Sequence, residues 1–348
     1  MMLVRNLAFR IAACWIATSG IHPSVHAQEV ENFYRNRNVS LLVGTTPGGY
    51  YDIGSRVVAR HIGQFIPGKP NIVVQNQPGA GGYFVVNRLL NAIERDGATF
   101  ATINRGLPQV ALTGDPKVNF DPLRLTWLGS LSSYKDDAYL AVVNSSGPIK
   151  SLADLKGNMP VHFGSTGTGS TNTAFALLAN EILGLKLDVV RGFPGVAQVW
   201  LAMETGEVDG QIIDISAILV GRPGLWRDGK LRPVVAFGRT ARLKEFPDVP
   251  VARELVTDPK DRALLEFAEF SFFMALPFAA PPELPPARER ALREAFMKMT
   301  ADPAYETDIR KVGLLPSPID GAVIVELIKN AMKTPEDVRR RFGKMLSD

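Results

Sequence analysis

One pattern constrains this chain more than any other: an apolar run breaks into glycine, proline and hydroxyl residues, and a helical period follows. Val39–Gly44 gives way to Thr45-Thr46-Pro47-Gly48-Gly49, after which Ile53, Val57, Val58, His61 and Ile62 share one face of a predicted helix over Asp52–Phe65. Asn71–Gln75 leads into Pro78-Gly79-Ala80-Gly81-Gly82 and a helix through Leu89 to Ile93, and Thr99–Ile103 ends in Asn104-Arg105-Gly106. Strand, small polar loop and helix in that order predict an α/β fold with a mainly parallel sheet.

A second series begins at Tyr139–Val143. Pro160–Phe163 runs into Gly164–Ser170 and a helix to about Leu183, and Leu187–Arg191 into Gly192-Phe193-Pro194-Gly195 and a helix carrying Val199 and Met203. Asp209–Asp214 and Leu231–Phe237 are its further strands, and helical sequence continues from Pro285. At 348 residues the chain is long enough for two domains.

Composition narrows the chemistry. The formal charge is +4, with no basic stretch of the kind that tracks a nucleic-acid backbone, so no nucleic-acid partner is expected. No apolar run reaches the roughly 18 residues of a membrane span. Residues 1–27 carry Arg5 and Arg10, the apolar Ile11–Ile16, the breakers Gly20 and Pro23, and small residues at Val25 and Ala27. That layout predicts a secretory signal peptide, with an amphipathic helix as the alternative, and hence a periplasmic location. The box Ile11-Ala12-Ala13-Cys14 follows Arg10 with no apolar stretch before it, which argues against lipidation. Cleavage after Ala27 leaves no cysteine and only His61 and His162.

In open α/β sheets, ligands bind beyond the carboxyl ends of the strands, where helix N-termini point. The loops Thr45–Tyr51, Pro78–Gly82, Asn104–Gly106, Gly164–Ser170 and Phe193–Gly195 all hold that position. They offer backbone N–H groups and hydroxyls suited to an anion; the plainer alternative is that each is only a turn. Sharper motifs fail. Gly164–Ser170 lacks the Gly-Lys pair of a P-loop, and Phe84 stands where a dinucleotide fingerprint needs its third glycine. A serine nucleophile would need His162 beside Ser165, and no metal-ligand spacing occurs. The reading is a binding protein without cofactor or metal.

The segment LLVGTTPGGYYDIGSRVVARHIGQFIPGKPNIVVQNQPGAGG, residues 41–82, resembles the opening of the tripartite tricarboxylate transporter receptors, the Bug family. Asp96-Gly97, Gly164–Ser170, Gly206-Glu207-Val208-Asp209, Gly229-Lys230-Leu231-Arg232, Pro247-Asp248-Val249-Pro250 and Ala279–Pro282 match later family motifs in order. The chain departs from the family at Gly44-Thr45-Thr46 and at Tyr50-Tyr51, where members carry Val-Pro and small residues. Those tyrosines either narrow the cleft, stack on an aromatic ligand or pack in the hinge.

The resemblance implies a two-lobed, type II periplasmic-binding-protein-like fold of the Venus-flytrap kind. Residues 28–138 with 269–348 would form one lobe and 139–268 the other, hinged near Tyr139 and through a strand at Phe270–Leu276. One wall would present Thr45, Thr46, Pro47, Gly48, Gly49, Tyr50 and Asp52, together with Gly79, Ala80, Gly81 and Gly82. Asn104 and Arg105 lie near by, a guanidinium clamp being one option and surface solvation the other. The second wall would present Ser165, Thr166, Gly167, Thr168, Gly169 and Ser170, then Phe193, Pro194, Gly195 and Asp209. Such a receptor, a monomer, captures a small carboxylate and delivers it to the membrane permease subunits of a tripartite tricarboxylate transporter. Two alternatives stay open: a receptor for a membrane sensor kinase, and a secreted enzyme relying on Asp52, Asp209, Asp214 or His162.

Overall fold

Valine and isoleucine fill the runs marked as strands, and β-branched side chains suit a pleated, half-buried surface. The computed structural model describes residues 25–347 except 136, 168 and 169. The signal-peptide segment lies outside these residues apart from its last three, which open helix α1.

The first strands are β1 (Asn38–Val43), β2 (Asn71–Asn76), β3 (Thr99–Thr102) and β4 (Thr126–Ser130). A second group follows: β5 (Tyr139–Asn144), β6 (Val161–Gly164), β7 (Leu187–Val190), β8 (Gly210–Asp214) and β9 (Leu231–Phe237). The chain then returns through β10 (Pro277–Ala280) and β11 (Ile319–Asp320). The helices over the first group are α1 (Val25–Tyr34), α2 (Tyr50–His61), α3 (Tyr83–Asn91) and α4 (Gly106–Ala111). Those of the second are α5 (Thr171–Leu183), α6 (Val196–Thr205), α7 (Ile215–Gly221), α8 (Pro223–Arg227), α9 (Ala252–Leu255) and α10 (Pro259–Glu269). The last four are α11 (Pro286–Thr300), α12 (Pro303–Lys311), α13 (Gly321–Met332) and α14 (Glu336–Ser347).

Two sheets form, in the orders β11-β4-β10-β3-β1-β2 and β7-β6-β8-β5-β9. The parallel units expected from the sequence are present: β1 with β2 and β3, and β6 with β7 and β8. Each sheet is nevertheless mixed. β10 runs antiparallel to β3 and β4, and β5 antiparallel to β8 and β9. The reason is topological: β5 and β10 are the strands by which the chain enters each sheet from the other. An entering strand starts at the shared edge and runs away from it, opposite to neighbours that end there. The strand expected at Phe270–Leu276 is instead a 3-10 helix over Phe270–Met274, and β10 follows it.

Side chains alternate across a strand, so each sheet feeds two apolar layers. Leu42, Ala101, Trp127, Tyr139, Ala141 and Phe163 belong to one layer, which thus spans both sheets. Leu41, Phe100, Leu128, Leu140, Val142 and Ile213 belong to the other. The last helix has partners in both groups of elements. α14 follows α13 of the first lobe, yet Phe342 packs edge-on against Phe267 of α10 with centroids 5.4 Å apart. Arg341 reaches Glu181 of α5 at 2.8 Å and Asp261 of α10 at 2.7 Å. Its neighbour Arg339 donates to the Leu112 carbonyl at 3.0 Å, so the helix straddles both lobes.

Candidate functional site

A cleft of about 360 Å³ opens where the loops after β1, β2 and β3 face those after β6 and β7. The first wall is built around Asp52. Gly48 takes φ +85°, a conformation glycine adopts without strain, and its N–H donates to Asp52 Oδ2 at 2.8 Å. Asp52 also accepts from Asn76 Nδ2 at 2.8 Å and from Arg56 Nε at 3.0 Å. Burial works to raise its carboxyl, but the hydrogen bonds from Arg56, Gly48 and Asn76 outweigh burial and hold it below the usual value. The loop thus folds back on α2 with Gly49 extended as its N-cap and no side chain covering the first-turn N–H groups. Asn104 pins the second loop by donating from Nδ2 to the Gly81 carbonyl at 2.9 Å.

The opposite wall is organised by Asn172 in the first turn of α5. Its Oδ1 accepts from Thr166 Oγ1 at 3.0 Å, Ser170 Oγ at 2.6 Å and the Thr173 N–H at 2.9 Å. Gly195, also extended and without a capping side chain, begins α6. The walls nearly touch at two glycines. A Cβ on Gly167 would lie 3.3 Å from the Gly81 nitrogen, and one on Gly195 would collide with Thr46 Oγ1.

The floor is charged and closed. Arg105 is 2% exposed and donates from Nη1 to Asp214 Oδ1 at 2.7 Å and from Nε to Thr171 Oγ1 at 3.3 Å. Tyr134 donates its hydroxyl to the same Asp214 oxygen at 2.8 Å. The guanidinium carbon stands 4.9 Å from the Phe272 ring centre and 5.0 Å from that of Tyr139. Burial pushes the Tyr50, Tyr134 and Tyr139 hydroxyls well above their usual range, so these rings stay neutral donors. Below the floor, burial and then the Asp214 charge raise Asp137 to about 7.

Most sequence-marked residues line this cleft: Thr45, Thr46, Gly49, Tyr50, Gly79, Ala80, Gly81, Asn104 and Arg105 from one lobe. Thr166, Gly167, Ser170, Phe193, Pro194 and Gly195 line it from the other. Several do not. Pro47 and Gly48 face solvent, Asp52 sits behind its loop, and Gly82 is buried where a Cβ on Gly44 would come within 2.8 Å of its Cα. Ser165 turns toward the Val190 carbonyl, and Asp209 Oδ2 accepts from the His162 N–H at 2.8 Å, so both serve the sheet. Thr168 and Gly169 lie outside the described residues. His162 pairs with Asp188 at 2.8 Å rather than with Ser165, so these two residues form no dyad. His61 binds Asp308 at 3.0 Å and packs on Tyr305 as a structural residue. Among the described residues no cluster of histidine, cysteine and acids is arranged to hold a metal. The sequence reading missed Tyr139, Thr171 and Asn172, which line the cleft from the first residues of a strand and a helix rather than from loops. Tyr51 is there too, its hydroxyl accepting from the Arg105 N–H at 3.2 Å.

Known proteins share this fold. The family profile described as Tripartite tricarboxylate transporter family receptor matches residues 55–343. Protein BugT of Bordetella pertussis is 28% identical over 261 residues, 73% of this chain and 75% of its own. The structure of MatC from Rhodopseudomonas palustris with bound malate superposes with a TM-score of 0.66 at 23% identity, covering 87% of this chain and 99% of MatC. A second R. palustris protein, solved with adipate, gives a TM-score of 0.69 at 19% identity over 88% of this chain and 97% of its own. Sheets, cleft and family profile agree: the chain belongs to the tripartite tricarboxylate transporter receptor family, a family of solute-binding proteins rather than enzymes.

Proposed function

We propose that the mature chain is a periplasmic, monomeric receptor that captures a small carboxylate in this cleft. It then delivers the ligand to the permease subunits of a tripartite tricarboxylate transporter. Residues 28–138 with 269–348 form one lobe and 139–268 the other, with α14 reaching across. The observation that carries this reading is the convergence of uncapped helix N-termini from both lobes, at Gly49 and Gly195, on one cleft. Helix N-termini supply partial positive charge and N–H donors without a buried cation. Malate in MatC and adipate in the second R. palustris protein support a carboxylate as the ligand class.

Binding closes the lobes and changes no covalent bond. A thermal-shift screen of mono-, di- and tricarboxylates tests this, because a ligand at a hundred times its Kd stabilises the native state by about 2.7 kcal/mol. Mass spectrometry should return the bound compound unchanged, and scattering should give a smaller radius of gyration. No shift with any carboxylate, or turnover of the ligand, overturns the reading.

A further inference from the structure

For a cleft that receives an anion, this one is poor in charge. Among the described residues, Arg105 and Asp214 are the charged side chains that line it, and they neutralise each other at 2.7 Å. The helix starts do not make up the difference twice over. Thr46 stands between those of α2 and α6: its carbonyl lies 4.0 Å from where a Cβ on Gly49 would be, and its hydroxyl would collide with one on Gly195. The two N-termini therefore converge on one place and serve one carboxylate. The start of α5 is already engaged, with Arg105 on Thr171 and the Asn172 oxygen on the Thr173 N–H.

Another part of the lining is apolar and drawn from both lobes. Tyr50, Ile213 and Ala217 line the cleft within one hydrophobic cluster, and Phe193 and Val196 pack against it. Tyr50 opens α2, and α2 packs on α7, which carries Ala217. The Tyr51 ring meets that of Tyr50 edge-on with centroids 5.5 Å apart, which fixes its plane.

We propose that the ligand is a monocarboxylate with a flat apolar body, an aromatic acid rather than a dicarboxylate, and that Tyr50 and Phe193 are the side chains that select it. The proposal rests on the receptor reading above and names its ligand class. With the carboxylate at the Gly49 and Gly195 helix starts, the ring buries apolar area against Tyr50, Phe193 and Ala217. A second carboxylate in the ring's place meets no free cation and lies near Asp214, which follows Ile213 directly in the chain. A buried charge without a partner is costly, so that ligand is rejected.

The full mature chain is titrated calorimetrically with two matched pairs, 4-methylbenzoate with terephthalate and hexanoate with adipate. In each pair a methyl group stands where the partner has its second carboxylate. 4-Methylbenzoate should bind about a hundredfold tighter than terephthalate, and hexanoate about tenfold tighter than adipate. 4-Methylbenzoate should be the tightest of the four. Phe193 is half-buried on a loop, so its variants should keep the wild-type melting temperature within a few degrees. Phe193→Ser should weaken 4-methylbenzoate about tenfold, and Phe193→Arg, which supplies a cation, should raise terephthalate to at least its level. Tyr50→Phe should leave 4-methylbenzoate within about twofold, since the ring and not the hydroxyl selects. A dicarboxylate as tight as its matched monocarboxylate overturns the proposal and leaves the receptor reading intact. So does hexanoate binding tighter than 4-methylbenzoate, or full 4-methylbenzoate affinity in Phe193→Ser. Binding of none of the four acids by the wild-type chain overturns both.

Discussion

The floor of the cleft and its walls follow opposite rules. On the floor, Arg105 meets Asp214, Thr171 and three aromatic rings, and Asp214 meets Tyr134 as well. On the walls there is no charge of that kind: Thr45, Thr46 and Gly49 face Ser170, Asn172 and Gly195, and Asn172 Nδ2 and Thr45 Oγ1 stand unpartnered. Charge is used where the lobes join, and neutral donors line the walls. A free guanidinium would hold any anion tightly, with little regard for shape. A cancelled one leaves selection to shape and to directional hydrogen bonds, which depend on where each oxygen lies.

That contrast breaks most visibly at Asp214. Asp214→Ala leaves the Arg105 charge buried without its carboxylate and should cost about 3–5 kcal/mol of unfolding free energy in urea titration. A cost below about 1 kcal/mol, the scale of an exposed pair, would show that the floor is solvated and that Arg105 is available to a ligand.

Acid-base behaviour sharpens the same contrast with a smaller effect. Asp137, raised to about 7, keeps its proton in the folded protein where the unfolded chain has already lost it. Its contribution to stability is therefore complete below the ordinary carboxylate range and disappears as pH rises through about 7. Urea midpoints should fall between pH 5 and pH 8, by an amount on the order of a few kcal/mol in stability, and Asp137→Asn should remove that dependence. A flat wild-type profile would place water and counter-charge beneath the floor.

The smallest effect belongs to the walls. Gly167→Val pushes a branched side chain toward the Gly81 backbone, which has no side chain to rotate aside. Affinity should fall about tenfold, or 1.4 kcal/mol, with folding little changed, because the wedge holds apart two walls that otherwise nearly touch. Unaltered affinity would mean that the liganded lobes stand further apart at this point.

Local order made much of this visible in advance. β1 through β3 and their loops are each short stretches in which apolar period and glycine position suffice, and the loop residues Thr46, Gly49, Gly81 and Gly195 do reach the cleft. What depended on distant partners did not show. Arg105 and Asp214 are 109 positions apart and meet only because the loop after β3 faces the end of β8. Asn172 reads as an unremarkable residue of a helix, and its part in ordering the loop before α5 appears only with Thr166, Ser170 and Thr173 in place around it. Asp209 looked like a cleft acid because it ends a turn before a strand, yet that same position lets its carboxylate tie β6 to β8 through the His162 N–H. The direction of β10 was hidden for a similar reason, since nothing in four residues records the lobe from which they came.

α14 adds a third passage of the chain between the lobes, beyond those that lead into β5 and β10. Two passages side by side let the halves bend and also twist about one another. A third, clamped to α5 and α10 through Arg341 and to the first lobe through Arg339, is sheared by twisting but not by a bend about its own line. The molecule is in that respect a hinge with a stay, tied to α5 and α10 on one side and to the end of α4 on the other.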